Sequence, residues 1–123
     1  MPEQKKRHVY VVDDEQVIAH TLAAILNGSG FNATAFTDPS GALESAGASA
    51  PDLLISDVAM AGMTGVELGI HFRTRFPQCN VLLFSGQATT RSLLDAAREQ
   101  GHDFTLLAKP IHPTDLLATI GKL

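Results

Sequence analysis

Five times along this 123-residue chain, a short run rich in apolar residues is followed by a longer segment whose apolar residues recur at helical spacing. A short apolar run bounded by turn formers suits a strand covered on both faces, and the longer spacing suits a helix with one buried stripe. Val9-Tyr10-Val11-Val12 opens the series and ends at Asp13-Asp14. From Glu15 to Leu26, the residues Val17, Ile18, Leu22, Ile25 and Leu26 mark a helical face, and Gly28-Ser29-Gly30 supplies a stop. Phe31 to Phe36 alternates with polar residues, as an edge strand would, and Asp38-Pro39 offers an N-cap followed by proline at the first helical position. That second helix is expected to end near Gly47, ahead of the breaker cluster Ser49-Ala50-Pro51.

Leu53-Leu54-Ile55 predicts a buried third strand that ends at Ser56-Asp57, followed by a glycine-containing loop and a helix from about Val66 to Phe76, closed by Pro77. Val81 to Phe84 reads as strand four, Thr89 to Gln100 as a helix ended by Gly101, Phe104 to Ala108 as strand five, and Pro113 to Leu123 as a last helix. Strict alternation of this kind predicts an α/β fold, a five-stranded parallel sheet with helices on both faces and right-handed crossovers. The length fits one domain, expected over residues 8–123 behind an N-terminal tail of residues 1–7.

Composition narrows the function. A formal net charge of −4 leaves no footprint for direct nucleic-acid binding, and the basic run Lys5-Lys6-Arg7 falls in the tail. The single Cys79 cannot form an internal disulfide, the polar start lacks a signal-peptide core, and no apolar run approaches membrane-spanning length. A cytoplasmic location without membrane association is expected.

Parallel sheets of this type bind ligands beyond the carboxyl ends of their strands. Those ends carry Asp13 and Asp14 after strand one, Asp57 after three, Ser85 after four and Lys109 after five. Alone, each has a plainer reading: Asp13-Asp14-Glu15 as charge at a helix start, Ser85 as a turn residue, Lys109 as a surface lysine. Together they are a site. Converging carboxylates repel, so a hard divalent cation is expected among Asp13, Asp14 and Asp57, and Mg²⁺ accepts such oxygen ligands. Beside it Asp57 can act as a nucleophile toward a phosphoryl group, with Lys109 and Ser85 as donors to the phosphoryl oxygens.

At these residues the chain resembles the receiver domain of two-component response regulators. The pieces that match are Val11-Val12-Asp13-Asp14-Glu15, the segment from Asp57 to Gly65, Phe84-Ser85-Gly86 and Lys109-Pro110. The resemblance implies a flavodoxin-like (βα)₅ sheet in the order 2-1-3-4-5, the order the fold shows in a chemotaxis receiver. It implies Asp57 as phosphoacceptor, Asp14 as a direct Mg²⁺ ligand, Asp13 as a ligand through water, and the Ala59 main-chain carbonyl beside them. It implies a phosphoryl donor that is a sensor histidine kinase or a His phosphotransfer protein, a downstream target whose identity the sequence does not give, a phosphorylation-dependent homodimer, and a cis Lys109-Pro110 bond. Such a protein is a phosphoacceptor in signalling rather than a conventional enzyme.

Three departures stand out. Ala61 replaces the proline usual in the family's loop after the phosphoacceptor, and Leu106 stands where many receivers carry an aromatic switch residue. The interval from Ser85 to Lys109 looks long, with Gly101-His102-Asp103 as the expected place for added residues. By the same resemblance, the positions two beyond Asp57 and two beyond Ser85 flank the approach of water; here they are Ala59 and Gln87, neither with a charged group to act as base, so a slowly hydrolysed phosphoryl group is expected. A haloacid-dehalogenase-type phosphatase would also use Asp, Mg²⁺, Ser and Lys, but it needs a second Asp where Ala59 stands. A flavodoxin would avoid Asp13-Asp14-Glu15 in its phosphate loop. A degenerate receiver serving only as a binding module would lack part of the acidic, Ser and Lys set.

Overall fold

The computed structural model describes residues 6–86 and 90–123. Its elements alternate as expected: β1 (His8–Val12), α1 (Gln16–Gly28), β2 (Asn32–Phe36), α2 (Pro39–Ala48), β3 (Leu53–Asp57), α3 (Gly65–Arg75), β4 (Asn80–Ser85), α4 (Thr90–Glu99), β5 (Thr105–Ala108) and α5 (Pro113–Ile120). The strands are parallel and ordered β2-β1-β3-β4-β5. β1 and β3 are therefore interior neighbours, and their carboxyl ends bring Asp13 and Asp14 beside Asp57.

Alternate strand residues feed two cores, one on each face of the sheet. Tyr10, Val12, Leu54 and Leu83 pack with Phe72 of α3 on one side. Val9, Val11, Ile55, Leu82 and Phe84 pack with Leu22 and Leu26 of α1 and Leu116 and Ile120 of α5 on the other. All five residues of β3 are buried.

Local chemistry sets the helix ends. The Asp38 side chain accepts from the Ser40 N–H ahead of Pro39, as the sequence predicts. Thr64 and Glu67 form a reciprocal capping box at the start of α3. α1 ends where Gly30 turns left-handed (φ 94°), so the Phe31 N–H reaches back to the Leu26 carbonyl. Gly101 (φ 89°) does the same for α4, with His102 N–H on the Ala97 carbonyl.

Three expectations need correction. Val17 lies on the apolar stripe of α1 by spacing but is 78% exposed, because it stands in the first turn, beyond the sheet that covers Leu22 and Leu26. β5 lies at the sheet edge, as the order 2-1-3-4-5 implied, but the expectation of a strand covered on both faces fails there: it has no fully buried residue, and Leu106 is 38% exposed. The last helix stops at Ile120 rather than Leu123, closing through bonds from Gly121, Lys122 and Leu123 N–H groups to carbonyls of its last turn.

Candidate phosphoacceptor and metal site

Each carboxylate reaches the site because its strand ends there. Asp13 follows β1 and is fully buried, with Oδ1 accepting from the Glu15 N–H at 2.9 Å. Asp14 is exposed and its Oδ2 accepts from the Ala61 N–H at 3.3 Å, which ties the start of the loop after β3 to the end of β1. Asp57 closes β3 and is buried, and its carboxylate accepts from the Ala59 N–H. One carboxylate oxygen from each of Asp13, Asp14 and Asp57 lies within 4.8 Å of the others.

Lys109, just past β5, completes the cluster. Its Nζ stands 3.3 Å from Asp57 Oδ2 and 3.5 Å from Asp13 Oδ2. Its own N–H donates to the Ser85 carbonyl at 3.1 Å, which locks the end of β5 to the end of β4. Ser85 is buried at that end. The Lys109-Pro110 bond is cis, as the resemblance implied.

Burial pushes the Asp13 carboxyl above the usual carboxylate range, and the Asp57 charge adds to the rise against the opposing pull of the Glu15 N–H and Lys109. Burial likewise raises Asp57, and Asp14 adds to it, while Lys109 and the Ala59 N–H oppose. For Lys109, burial alone would lower the ammonium's pKa, but the Asp57 and Asp13 carboxylates outweigh it and raise it. One lysine charge therefore leaves the carboxylates under-compensated. Asp13 Oδ2 is buried without a hydrogen-bond partner among the described residues, and its contact with Lys109 is a long ion pair. A cluster of oxygen donors with residual negative charge and an orphaned buried oxygen fits a hard divalent cation, and the residues that could hold it are Asp13, Asp14, Asp57 and the Ala59 carbonyl.

Two residues near the site have roles that sequence inspection did not assign. A glycine in a loop ahead of a helix ordinarily serves a turn, but a Cβ built at Gly65 would lie 2.1 Å from the Asp57 carbonyl oxygen. Its N–H donates to the Val58 carbonyl, so the loop after Asp57 folds back onto the backbone of Asp57 and Val58. Ser56, fully buried, donates its hydroxyl to that same Asp57 carbonyl at 2.9 Å. The nearest signal was Gly65 itself, because glycine at a helix start marks either a turn or a close approach. Met60 and Met63 of the loop after Asp57 pack partly buried against the core. Gln87 lies outside the described residues.

A parallel 2-1-3-4-5 sheet with an acidic cluster, a hydroxyl and a lysine at its carboxyl edge defines a class of phosphorylation-responsive signalling domain. The family profile for the response regulator receiver domain matches residues 9–121, and the chain belongs to that family. It is a receiver domain of two-component response regulators, a signalling module. Receiver domains bind Mg²⁺ at an acidic pocket and interact with histidine kinases or phosphotransfer proteins. The phosphatase alternative is not favoured by these matches.

The chain is 30% identical over 114 residues to the DNA-binding transcriptional regulator NtrC of Escherichia coli K12, a match covering 93% of this chain and 24% of NtrC. It is 29% identical to the transcriptional regulatory protein FixJ of Bradyrhizobium diazoefficiens, covering 94% of this chain and 55% of FixJ. The chain thus spans about a quarter to about half the length of these relatives. Among solved structures, Vibrio cholerae chemotaxis protein CheY4 superposes with a TM-score of 0.84 at 25% identity, over 96% of this chain and 98% of that one. A signal receiver domain of an HD domain-containing protein from Pseudomonas fluorescens Pf-5 superposes with a TM-score of 0.86 over 96% of this chain and 94% of that one, and at 23% identity it speaks for the fold alone. Among the described residues no helix is long and apolar enough to cross a membrane.

Proposed function

We propose that Asp57 is the phosphoacceptor of this receiver and that its phosphoryl donor is the phosphohistidine of a sensor histidine kinase or a His phosphotransfer protein. The observation that carries this is the meeting of three carboxylates with the Lys109 ammonium at 3.3 Å from Asp57, at the carboxyl edge of the sheet. An Asp57 carboxylate oxygen attacks phosphorus, the O–P bond forms as the P–N bond to the donor imidazole breaks, and the imidazole leaves with the bonding pair. Lys109 and Ser85 donate to the phosphoryl oxygens, and Asp14, Asp57 and the Ala59 carbonyl, with Asp13 through water, would hold Mg²⁺. When bound, Mg²⁺ would supply positive charge that offsets the carboxylates and the incoming phosphoryl oxygens.

The receiver unit spans residues 8–123 behind a tail of residues 1–7, works in the cytoplasm, and passes its signal by altered partner binding or a phosphorylation-dependent homodimer. Leu106 makes that switch non-aromatic. Its phosphoryl group is long-lived, since Ala59 offers no side chain to hold water, and the part assigned to Gln87 rests on sequence. Incubation with acetyl phosphate and Mg²⁺, followed by intact mass measurement, tests the assignment. One added phosphoryl group that needs Mg²⁺ and is absent in Asp57→Asn is the expected result. Equal labelling of Asp57→Asn overturns it.

A further inference from the structure

The long stem of Lys109 must be held if its ammonium is to meet a phosphoryl group, and three consecutive residues at the end of β4 build the slot that holds it. The Ser85 carbonyl fixes the Lys109 backbone at 3.1 Å. The bare backbone of Gly86 borders the stem, for a Cβ built there would sit 3.6 Å from Lys109 Cβ and 3.9 Å from Cδ. The Phe84 ring lies under the head, with Nζ 5.2 Å from the ring centroid.

We propose that Phe84 is a positioning residue for phosphoryl transfer, its ring face holding the Lys109 ammonium toward Asp57. The inference rests on the reading of Asp57 and Lys109 given above and assigns a role to a residue that otherwise looks like core alone. A cation within about 6 Å of a ring centroid is attracted by the ring quadrupole, and more strongly where water is displaced. Lys109 is such a case, with its side chain 23% exposed over a Phe84 that is fully buried. The carboxylate contacts of Lys109 are both ion pairs longer than a good hydrogen bond, so they attract the head without fixing its direction. Those contacts also change whenever Asp57 gains a phosphoryl group or the carboxylates gain a cation. The ring's charge distribution stays the same through each change, so it keeps Lys109 at the mouth of the site in every state.

A double-mutant cycle separates this role from simple packing. Phosphorylation by acetyl phosphate and the dissociation constant for beryllofluoride would be measured in the parent, Phe84→Leu, Lys109→Ala and the double variant. Phe84→Leu should weaken both readouts about three- to tenfold with Lys109 present, the range expected of a partly desolvated cation–π contact, and have no further effect with Lys109→Ala. Phe84→Tyr should keep the parent's values. An equal loss in both backgrounds, or no loss with Lys109 present, overturns the proposal. A second arm needs no phosphoryl chemistry: the Lys109 ε-methylene protons in the parent should be shifted upfield by the ring, and random-coil shifts overturn the proposal even if Phe84→Leu fails to fold. A parent that takes no phosphoryl group at Asp57 overturns the function proposed above, while the shift measurement still decides whether Phe84 holds Lys109.

Discussion

β3 and β5 pair with opposite sides of the same strand, β4, yet they are built differently. Every residue of β3 is buried and the strand ends in Asp57, whereas β5 has no fully buried residue and leads into Lys109. α3, which packs on the β3 side, buries Val66, Leu68 and Phe72, while only Ala97 is buried in α4 among its described side chains. Asp57 is thus set in close-packed core, and Lys109, the cation that answers to its charge, comes from a lightly covered edge. Buried strands resist displacement because any shift opens voids, and edges lack that constraint. β5 and α4 are therefore the region with the fewest packing constraints, and Leu106 lies there, at the position where the family resemblance led to the expectation of an aromatic residue.

The sharpest way to break this contrast is to cut into the β3 side. Phe72, fully buried and in ring contact with Tyr10 and Phe76, should cost about 3–5 kcal/mol when truncated in Phe72→Ala. Urea unfolding measures it, and a loss near that of an exposed site would show that the β3 side is not the rigid one. Next in size is Gly65→Ala, whose Cβ has no room beside the Asp57 carbonyl; about 2–3 kcal/mol, the upper range for overpacking, is expected. Acetyl phosphate labelling should fall in the same variant because the loop carries Asp57 with it.

A smaller effect, with a pH signature, belongs to the carboxylates. Both Asp13 and Asp57 are raised in the fold, mainly by burial, so over their titration range the folded chain holds protons that the unfolded chain has released. Stability without metal therefore falls as pH rises from the unfolded carboxyl value, about 3.9, through the folded values. In EDTA, Asp57→Asn should melt a few degrees above the parent at pH 7, and the gap should close as pH approaches 4. Added Mg²⁺ should raise the parent's melting point at pH 7 and leave Asp57→Asn less affected. A gap that is constant with pH would mean that the buried charge is not the cause.

The smallest effect is expected on the β5 side. Leu106→Cys should cost less than about 1 kcal/mol, as partly exposed substitutions do, and its thiol should react with Ellman's reagent in the native protein. Cys79 is buried and its thiol is pushed up to about 12, chiefly by desolvation, so it should react only on unfolding. Equal reactivity of the two thiols would erase the contrast between the regions.

The order of elements, the parallel sheet and the convergence of Asp13, Asp14, Asp57, Ser85 and Lys109 at one edge of it were legible in the sequence for one reason. Apolar period fixes which segments are strands, and parallel strands joined by helical crossovers place all their carboxyl ends along one edge. Asp38 as a cap was legible because its chemistry acts within two residues. Other features depended on contacts between residues far apart in the chain. Spacing put Val17 on the buried stripe of α1, but how far the sheet extends beneath that helix decides its exposure. Gly65 looked like any loop glycine until the backbone of Asp57 lay against it, and Phe84 looked like any strand apolar residue until Lys109, just past the neighbouring strand, reached its ring. The β5 residues are apolar enough for an interior strand, and only their place at the end of the sheet order leaves them exposed. Local pattern records which face of an element avoids water; register and sheet order decide what meets that face, and those are properties of the assembled fold.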